Sequence, residues 1–493
     1  MDTKPWVSPM TYRPYPSPLP HIVDFENTPQ SLAIDIIKFI NAMKTLQFDT
    51  TNILQSVAPP KLDSCHSQVI LDYFQNAWHL EDILMKSLVG EDTFYLNPDP
   101  LRNRLIFYLG HSAVFYINKL ITVNLLKKRI NPDYEILFEI GVDPEIPEEL
   151  NQVVGHLEWP EVSEVWQYRD QVYSVISEVI KTTPISLPIL PHHPLWALIM
   201  GIEHQRIHIE TSSMLIRQLP IERVKRPQNW KYAPSNNYTP QNEMLEVAGG
   251  VVKLGKAYND PTYGWDIDYG ERTVEVQSFL ASKYLITNGE FLYFVKDNGY
   301  ENQDYWDEES WQWKTQYNVK HPKFWIPDKG IYKYRAMFDN MELPLDWPVE
   351  VNHYEAMAYC RRKGKDTRLM TEAEYNLATY GNGLTENPDR YNLNFKFGSP
   401  SPVGMLETAK SNSGLYDLRG NVWEWLSDNL NPLSGYEPHY LYEDNSAIFF
   451  DTKHNMMLGG CWITNGTEAL KYYRNWFRPL FYQHAGFRVV QNQ

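Results

Sequence analysis

The chain reads as a two-part protein, a helical bundle followed by an α+β domain, and three observations carry that reading. Apolar residues recur at helical spacing from about Ser31 to Leu219. The next stretch, PIERVKRPQNWKYAPSNNYTPQ, has neither a helical nor a strand period and is rich in Pro and Asn. Beyond it come short β-like runs between loops full of Gly, Asn, Trp and Tyr. The expected organisation is an N-terminal extension over 1–30, the bundle over 31–219, a linker over 220–241 and the α+β domain over 242–493.

In the first part, SLAIDIIKFINAMKTL, SQVILDYFQNAWHLEDILMKSL, LIFYLGHSAVFYINKLITVNLL and VSEVWQYRDQVYSVISEVIKT each sustain the helical pattern for four turns or more, and HPLWALIMGIEHQRIHIETSSMLIRQL continues it. Four or more such helices bury their stripes against one another, with connections at NPDPLRN and GVDPEIPEE where Pro and Gly interrupt the period. In the second part LEVAGGVVKLG, TVEVQSFLASKYLI, MLGGCWI and GFRVV read as strands. EVNHYEAMAYCRRKG reads as a helix, and a second short helix begins at Thr371, where Thr-x-x-Glu forms a capping box.

The 493 residues carry 61 acidic and 45 basic side chains, a net charge of −16, which argues against general attraction to nucleic acid or an anionic membrane. Ordinary fractions of hydrophobic (43 %) and charged (22 %) residues exclude a collagen-like, mucin-like or wholly disordered chain. Cys65, Cys360 and Cys461 are far apart and in no CxxC pair, so neither a disulfide framework nor a zinc ribbon is expected, and a cytoplasmic location fits. MDTKPWVSPMTYRPYPSPLP lacks the apolar core of a signal peptide, and PISLPILPHHPLWALIMGI is broken by prolines and a His pair, so no membrane span is expected. The 33 Tyr and 16 Trp exceed what a core requires and point to clefts lined with rings.

The sharpest chemical signal is His204-Gln-Arg-Ile-His208-Ile-Glu210 within a helical run. At about 100° per residue, His204 and His208 stand one turn apart on one face, where two imidazoles can hold one metal ion. Glu210 lies about 200° beyond His208 and is read as supporting or structural. Gln205 follows His204, so the general-base Glu of an HExxH zincin is missing. A partly buried polar stripe has the same spacing, so a metal site needs a ligand from another helix. His111 is the best donor, because it interrupts an otherwise apolar helix beside Gly110; His66, His79, His156, His192 and His193 stay open. Three imidazoles without a carboxylate leave open positions: iron(II) would use them for substrate and dioxygen, zinc for a single water, and spacing does not choose.

The helical half resembles the metal-binding bundle of the DinB-like superfamily, with His-x3-His-x-Glu in its sulfoxide synthase form. The second half resembles the formylglycine-generating-enzyme fold through WPVEVNHYEAMAYCRRKGKDTRLMTEAEY, SGLYDLRGNVWEWLSD, LGGCW and AGFRVV, in that fold's usual order. The fusion is characteristic of ergothioneine and ovothiol synthases. LRNRLIFYLGHSAVFYINKL, RINPDYEILFEIGVD, EHQRIHIETSSMLIRQLP and YRNWFRPLFYQHAGFR resemble the ovothiol branch, 5-histidylcysteine sulfoxide synthases, over about residues 70 to 490.

The resemblance implies a non-haem Fe(II) enzyme that joins L-cysteine to C5 of the L-histidine imidazole with O2, giving a sulfoxide. It implies His111, His204 and His208 as iron ligands, and a tyrosine of the second domain close to the iron. Of Tyr436, Tyr440 and Tyr442, the family pattern around Phe449–Phe450 favours Tyr442. Asn475 and Trp476 match the family's Asn-Trp that binds the substrate backbone, and Arg474 and Arg478, with Arg217, offer guanidinium forks for carboxylates. Two departures from the ergothioneine branch are informative. Ile207 stands where that branch has a Gln bonded to the substrate imidazole, consistent with sulfur attaching at another carbon. Phe477 stands where the γ-glutamylcysteine-using branch has Asp, consistent with free cysteine as donor.

Gly420–Trp425 is read as a fold signature, and Cys461 occupies the usual Ser of the Gly-Gly-Ser-Trp turn. The paired catalytic cysteines of formylglycine-generating enzymes are not recognisable, so sulfatase activation is not expected. The chain ends at GFRVVQNQ without a Gly-rich nucleotide loop, so a separate methyltransferase and a separate sulfoxide lyase are expected downstream. The competing readings are an ergothioneine-type synthase forming a C2–S bond on N-trimethylhistidine, a zinc-dependent DinB-like thiol transferase, and a binding protein whose His pair is structural.

Overall fold

The computed structural model describes residues 54–139, 141 and 143–492. The expected extension over 1–30 and the first helical run, 31–46, lie outside the described residues. Four long helices follow: α1 (Ser67–Met85), α2 (Leu105–Thr122), α3 (Val162–Thr182) and α4 (Leu195–Gln218). The GVDPEIPEE connection, read as a loop, contains a short helix, Pro147–Val154, started by a proline whose fixed φ suits the first turn.

One buried polar network takes a side chain from each long helix. Glu81 of α1 accepts from Ser112 of α2 at 2.8 Å, Arg169 of α3 at 2.9 Å and Gln205 of α4 at 2.8 Å. A buried charge is tolerated only when paired and fully bonded, so this network specifies one helix register. It also explains Gln205, the residue that excludes a zincin reading.

The second part holds four helices, α5 (Asn288–Lys296), α6 (Glu308–Gln316), α7 (His353–Lys363) and α8 (Glu372–Thr379). Helices α7 and α8 match the sequence expectation, and α8 carries the Thr371–Glu374 capping box. Helices α5 and α6 were not anticipated, because NGEFLYFVK and EESWQWKTQ are short and rich in aromatics. Thr287–Glu290 forms a capping box for the first, and Asp307 accepts from Ser310 N for the second.

Strands β1 (Met244–Val247), β2 (Gly250–Leu254), β3 (Arg272–Val276) and β4 (Phe279–Ser282) arise from the first two β-like runs. Then come β5 (Trp325–Asp328), β6 (Ile331–Arg335), β7 (Asn340–Glu342), β8 (Thr367–Arg368), β9 (Trp423–Asn429), β10 (Asn455–Leu458), β11 (Asn475–Phe477), β12 (Ala485–Gly486) and β13 (Val490–Asn492). Two four-stranded sheets, β1-β4-β13-β8 and β11-β10-β9-β12, are accompanied by a two-stranded β2-β3 sheet and a three-stranded β5-β6-β7 sheet. In the first sheet the C-terminal strand β13 lies between β4 and β8. Residues 220–241 are docked on the second part, with Trp230 Nε1 donating to Gly398 O at 2.8 Å and Trp347 Nε1 to Pro234 O at 2.9 Å. Among the described residues no helix is long and apolar enough to cross a membrane.

The two parts meet along α4. Its 24 residues include 20 that are buried, so both faces are covered. Glu203, Arg206, Glu210, Ser213 and Arg217, spaced three and four apart, face the second part. Glu203 accepts from Thr467 N at 2.9 Å, Arg206 donates to Asn465 Oδ1 at 2.5 Å, and Glu210 accepts from Trp423 Nε1 at 2.6 Å and Thr464 Oγ1 at 2.5 Å. Arg217 forms a bidentate pair with Glu350 at 2.6 and 2.8 Å. Ser213, His484 and Glu350 line up in the order of a hydrolytic triad, but the Ser213 hydroxyl donates to Glu210 O at 2.7 Å and all three residues are buried. They bond the interface.

Burial opposes ionisation of Glu350, but Arg217 and His484 outweigh it and lower its pKa from 4.5 to about 2. A carboxylate depressed by folding stabilises the native state fully above its unfolded pKa and loses that contribution as pH falls through its folded pKa. The Glu350 contribution is therefore expected whole above pH 4.5 and lost towards about pH 2. Glu350→Gln should flatten that part of the acid limb of a melting-temperature profile. Arg217→Met, which strands the buried carboxylate, is expected to cost about 3–5 kcal/mol in denaturant unfolding at pH 7.

Candidate metal centre

The opposite face of α4 meets α2, and there His111, His204 and His208 each offer a ring nitrogen within 4.8 Å of the others'. The ring centroids are 5.0, 4.5 and 4.4 Å apart for the pairs 111–204, 111–208 and 204–208. Helical geometry accounts for the 204–208 pair, and close helix approach brings in His111. Gly201, one turn before His204, faces the Tyr116 ring so closely that a Cβ would collide with it.

The ring orientations are set from outside the cluster. His111 Nδ1 is 2.5 Å from Phe138 O, so that nitrogen is the donor and Nε2 keeps its lone pair. Phe138 reaches this position because Gly110 leaves room; a Cβ there would stand 2.6 Å from its ring. His204 Nε2 and His208 Nε2 are 3.2 Å apart. Phe115 stacks on His204 with centroids 3.6 Å apart and planes 7° off parallel, and Phe107 stacks on His111 at 4.6 Å. Burial, reinforced among the three by mutual repulsion and by nearby cations, holds all three imidazoles below their usual pKa, His111 at about 4. Neutral imidazoles present lone pairs at neutral pH. His204 Nδ1 and His208 Nδ1 are buried without a protein partner, so with Nε2 converging the cluster is incompletely satisfied by protein alone. Three neutral nitrogen donors suit a divalent ion of borderline softness, iron(II) or zinc.

The other candidate histidines lie elsewhere. His193 Nε2 is 2.7 Å from Ser186 Oγ, and His66 is the residue before α1. His79 and His156 are exposed. Glu210, on the far side of α4, is an interface residue.

Tyr442 comes into the cluster from the second part. Its ring is 6.3 Å from that of His204 and 5.5 Å from that of Phe115. Burial pushes its phenol well above the usual range. Tyr436 OH instead bonds Asp266 Oδ2 at 3.0 Å. A small recess behind Tyr442 is lined by Trp196, Met200, Tyr263, Trp265 and His439, but many of the tyrosines and tryptophans expected to line clefts, such as Tyr73, Tyr334, Trp347 and Trp425, are core residues instead.

Asn475 and Trp476 lie on β11, Asn475 buried and Trp476 half-buried against Phe449 at 5.6 Å. Ile207 is half-buried and packed on the core. Neither of the two arginines beside β11 is free. Arg474 bonds Glu372 at 2.6 and 3.1 Å and Asn431 O at 2.9 Å. Arg478 bonds Asp143 Oδ2 at 2.7 and 3.0 Å, and Arg217 is the interface pair described above.

Two cations near the cluster were not anticipated. Arg102 acts on His208 through its charge, and its guanidinium lies 4.4 Å from the Phe481 centroid and 5.2 Å from that of Phe477. Lys119 extends from α2 over Phe115 and Tyr442, at 4.8 and 4.6 Å from the ring centroids. One signal was available: Phe107, His111, Phe115 and Lys119 recur every four residues along one side of α2.

Residues 231–493 match the family described as sulfatase-modifying factor enzyme 1-like domain, and the chain belongs to that family. It is 26 % identical over 518 aligned residues to ergothioneine biosynthesis protein 1 of Neurospora crassa, covering 86 % of this chain and 57 % of that protein. It is 32 % identical over 252 residues to hercynine oxygenase of Mycobacterium tuberculosis, covering 48 % of this chain and 58 % of that protein. Formylglycine-generating enzyme of Bos taurus is 29 % identical over 228 residues, 40 % of this chain and 60 % of that protein. The chain thus spans a little over half the length of these relatives. Its three cysteines are all free and buried.

Metal-free protein titrated with iron(II) or cobalt(II) is expected to bind about one ion per chain, and His204→Ala or His208→Ala should abolish tight binding. Gly110→Ala, which displaces Phe138 and the carbonyl orienting His111, should weaken it ~10–100-fold, read by competition against a chelating dye.

Proposed function

We propose that the protein is an iron(II)- and dioxygen-dependent sulfoxide synthase that joins cysteine to C5 of the histidine imidazole, the first step of ovothiol biosynthesis. The observation that carries this reading is the cluster of three neutral imidazoles, without a carboxylate, between α2 and α4 of the bundle, with Tyr442 of the family domain beside it. Similarity to ergothioneine biosynthesis protein 1 and hercynine oxygenase supports the same reaction class.

In the balanced reaction a ring C–H and a thiol S–H are lost, C–S and S–O bonds form, and the second oxygen atom of dioxygen leaves as water. Iron(II), held by His111, His204 and His208, would supply activation of dioxygen and coordination of the thiolate. The chain's own residues bind, orient and exclude. Phe138 O keeps His111 Nε2 available, while Phe107 and Phe115 cover two of the imidazoles and keep water from them. Tyr442 brings its ring to 6.3 Å from that of His204 and would exchange a proton with a reacting group. Arg102, with its face against Phe481 and Phe477, is the best-placed group for a substrate carboxylate. Asn475 and Trp476, on β11 next to Phe477, would hold the histidine backbone.

Attachment at C5 and use of free cysteine rest on Ile207 and Phe477, neither of which has a side-chain hydrogen-bond donor or acceptor. The names of the relatives favour a second reading, an ergothioneine-type synthase forming a C2–S bond on N-trimethylhistidine.

Anaerobic reconstitution with iron(II), then addition of histidine, cysteine and air, is expected to yield a histidine–cysteine adduct one oxygen heavier and without the C5 proton in NMR. An adduct only with N-trimethylhistidine would place the protein in the ergothioneine branch. No oxygen consumption with either acceptor would return it to a zinc transferase or a binding protein.

A further inference from the structure

Tyr442 lies on a loop of the second part whose own domain secures it on either side of the tyrosine. Asp266 accepts from Tyr436 OH at 3.0 Å, from Asn445 Nδ2 at 2.8 Å and from Ser446 Oγ at 2.8 Å. Between those anchors the loop is bonded to the first part of the chain. His439 Nε2 lies 2.9 Å from Pro191 O, and Lys119 Nζ donates to Leu441 O at 2.6 Å. Lys119 and Leu441 are 322 residues apart.

The carbonyl of Leu441 and the N–H of Tyr442 belong to one rigid peptide plane. Lys119 holds the oxygen of that plane, and Tyr442 N donates to His439 O at 2.8 Å on its other edge. With both edges held, the direction in which the Tyr442 side chain leaves the backbone is set. The Lys119 ammonium also touches the faces of Tyr442 and Phe115, the ring stacked on His204. Among the described residues Lys119 forms no ion pair, although an ammonium withdrawn from water is costly unless it is bonded. Its direct contacts are one carbonyl and two aromatic faces, with the carboxylates of Glu139 and Asp444 favouring its charge from beyond ion-pair distance. A lysine that merely covered apolar surface would send its head group to solvent; this one sends it inward to the peptide preceding Tyr442.

We infer that Lys119 is a positioning residue: it aligns Tyr442 with the His cluster, so that the tyrosine of the second domain is set in place by the helix that carries His111. This rests on the proposed reaction for its consequence, but the clamp itself is testable without metal.

Lys119→Met keeps the length of the stem and removes the donor, and Lys119→Arg restores a cation. In the metal-free proteins, hydrogen exchange over residues 438–446 is expected to be faster in Lys119→Met by on the order of ten-fold, with exchange in α2 and α4 unchanged and with partial recovery in Lys119→Arg. In the iron-loaded proteins, Lys119→Met should consume more dioxygen per adduct formed, since a misplaced tyrosine lets the thiol be oxidised without coupling; metal stoichiometry should stay at the wild-type value. Unchanged exchange in the loop would overturn the clamp. Faster exchange with an unchanged ratio of dioxygen to adduct would reduce Lys119 to a structural contact and overturn the positioning role. If the wild-type protein forms no adduct at all, the proposed reaction falls, and the exchange measurement still decides whether Lys119 holds the Tyr442 loop.

Discussion

A helix with 20 of its 24 residues out of water has to find an internal partner for each polar side chain it carries, and α4 carries many. The demand is met by segregation. His204 and His208 turn towards α2, Gln205 enters the four-helix polar network, and Glu203, Arg206, Glu210, Ser213 and Arg217 bond the second domain. The two domains are therefore bound by the helix that also supplies two of the three clustered imidazoles. Prising them apart would strand paired buried charges such as Arg217 and Glu350, which is the costliest kind of interface to break.

The same segregation shapes the chemistry of the cluster. Two carboxylates, Glu203 and Glu210, lie within two residues of the clustered histidines in sequence, yet the helix directs both to the opposite side, where they accept bonds from Thr467, Trp423 and Thr464. The donor set stays purely nitrogen. A divalent ion in such a set keeps its full charge for anionic ligands such as a thiolate. Phe107 and Phe115 exclude water and keep the imidazoles neutral.

Much of this was legible in the sequence. The i, i+4 spacing of His204 and His208 declares a shared helix face, and His111 betrays itself by interrupting an apolar run. The capping box at Thr371 located α8, whereas the equivalent box at Thr287 went unread because the helix behind it is short and aromatic. The arginines were harder. Arg474 and Arg478 stand beside Asn475 and Trp476 in the sequence and look available, but their partners Glu372 and Asp143 are 102 and 335 residues away. Arg102 lies in the NPDPLRN connection and Lys119 at the end of a helical run, two places where charged residues ordinarily face water.

By itself the sequence determined what depends on neighbours within a few residues: the run of long helices followed by short strands and loops, the helical register that pairs His204 with His208, the separation of Glu210 from that pair, and the helix opened by the Thr371 cap. These follow from backbone periodicity and local hydrogen bonding, which any helix of this composition would obey. Tertiary structure alone decided which face of α4 meets α2 and which meets the second domain, that the imidazoles are neutral, which arginines are spent, and that a lysine two turns beyond His111 reaches the peptide before Tyr442. Those outcomes depend on desolvation and on contacts between residues hundreds of positions apart. They exist only once the two domains have closed on α4.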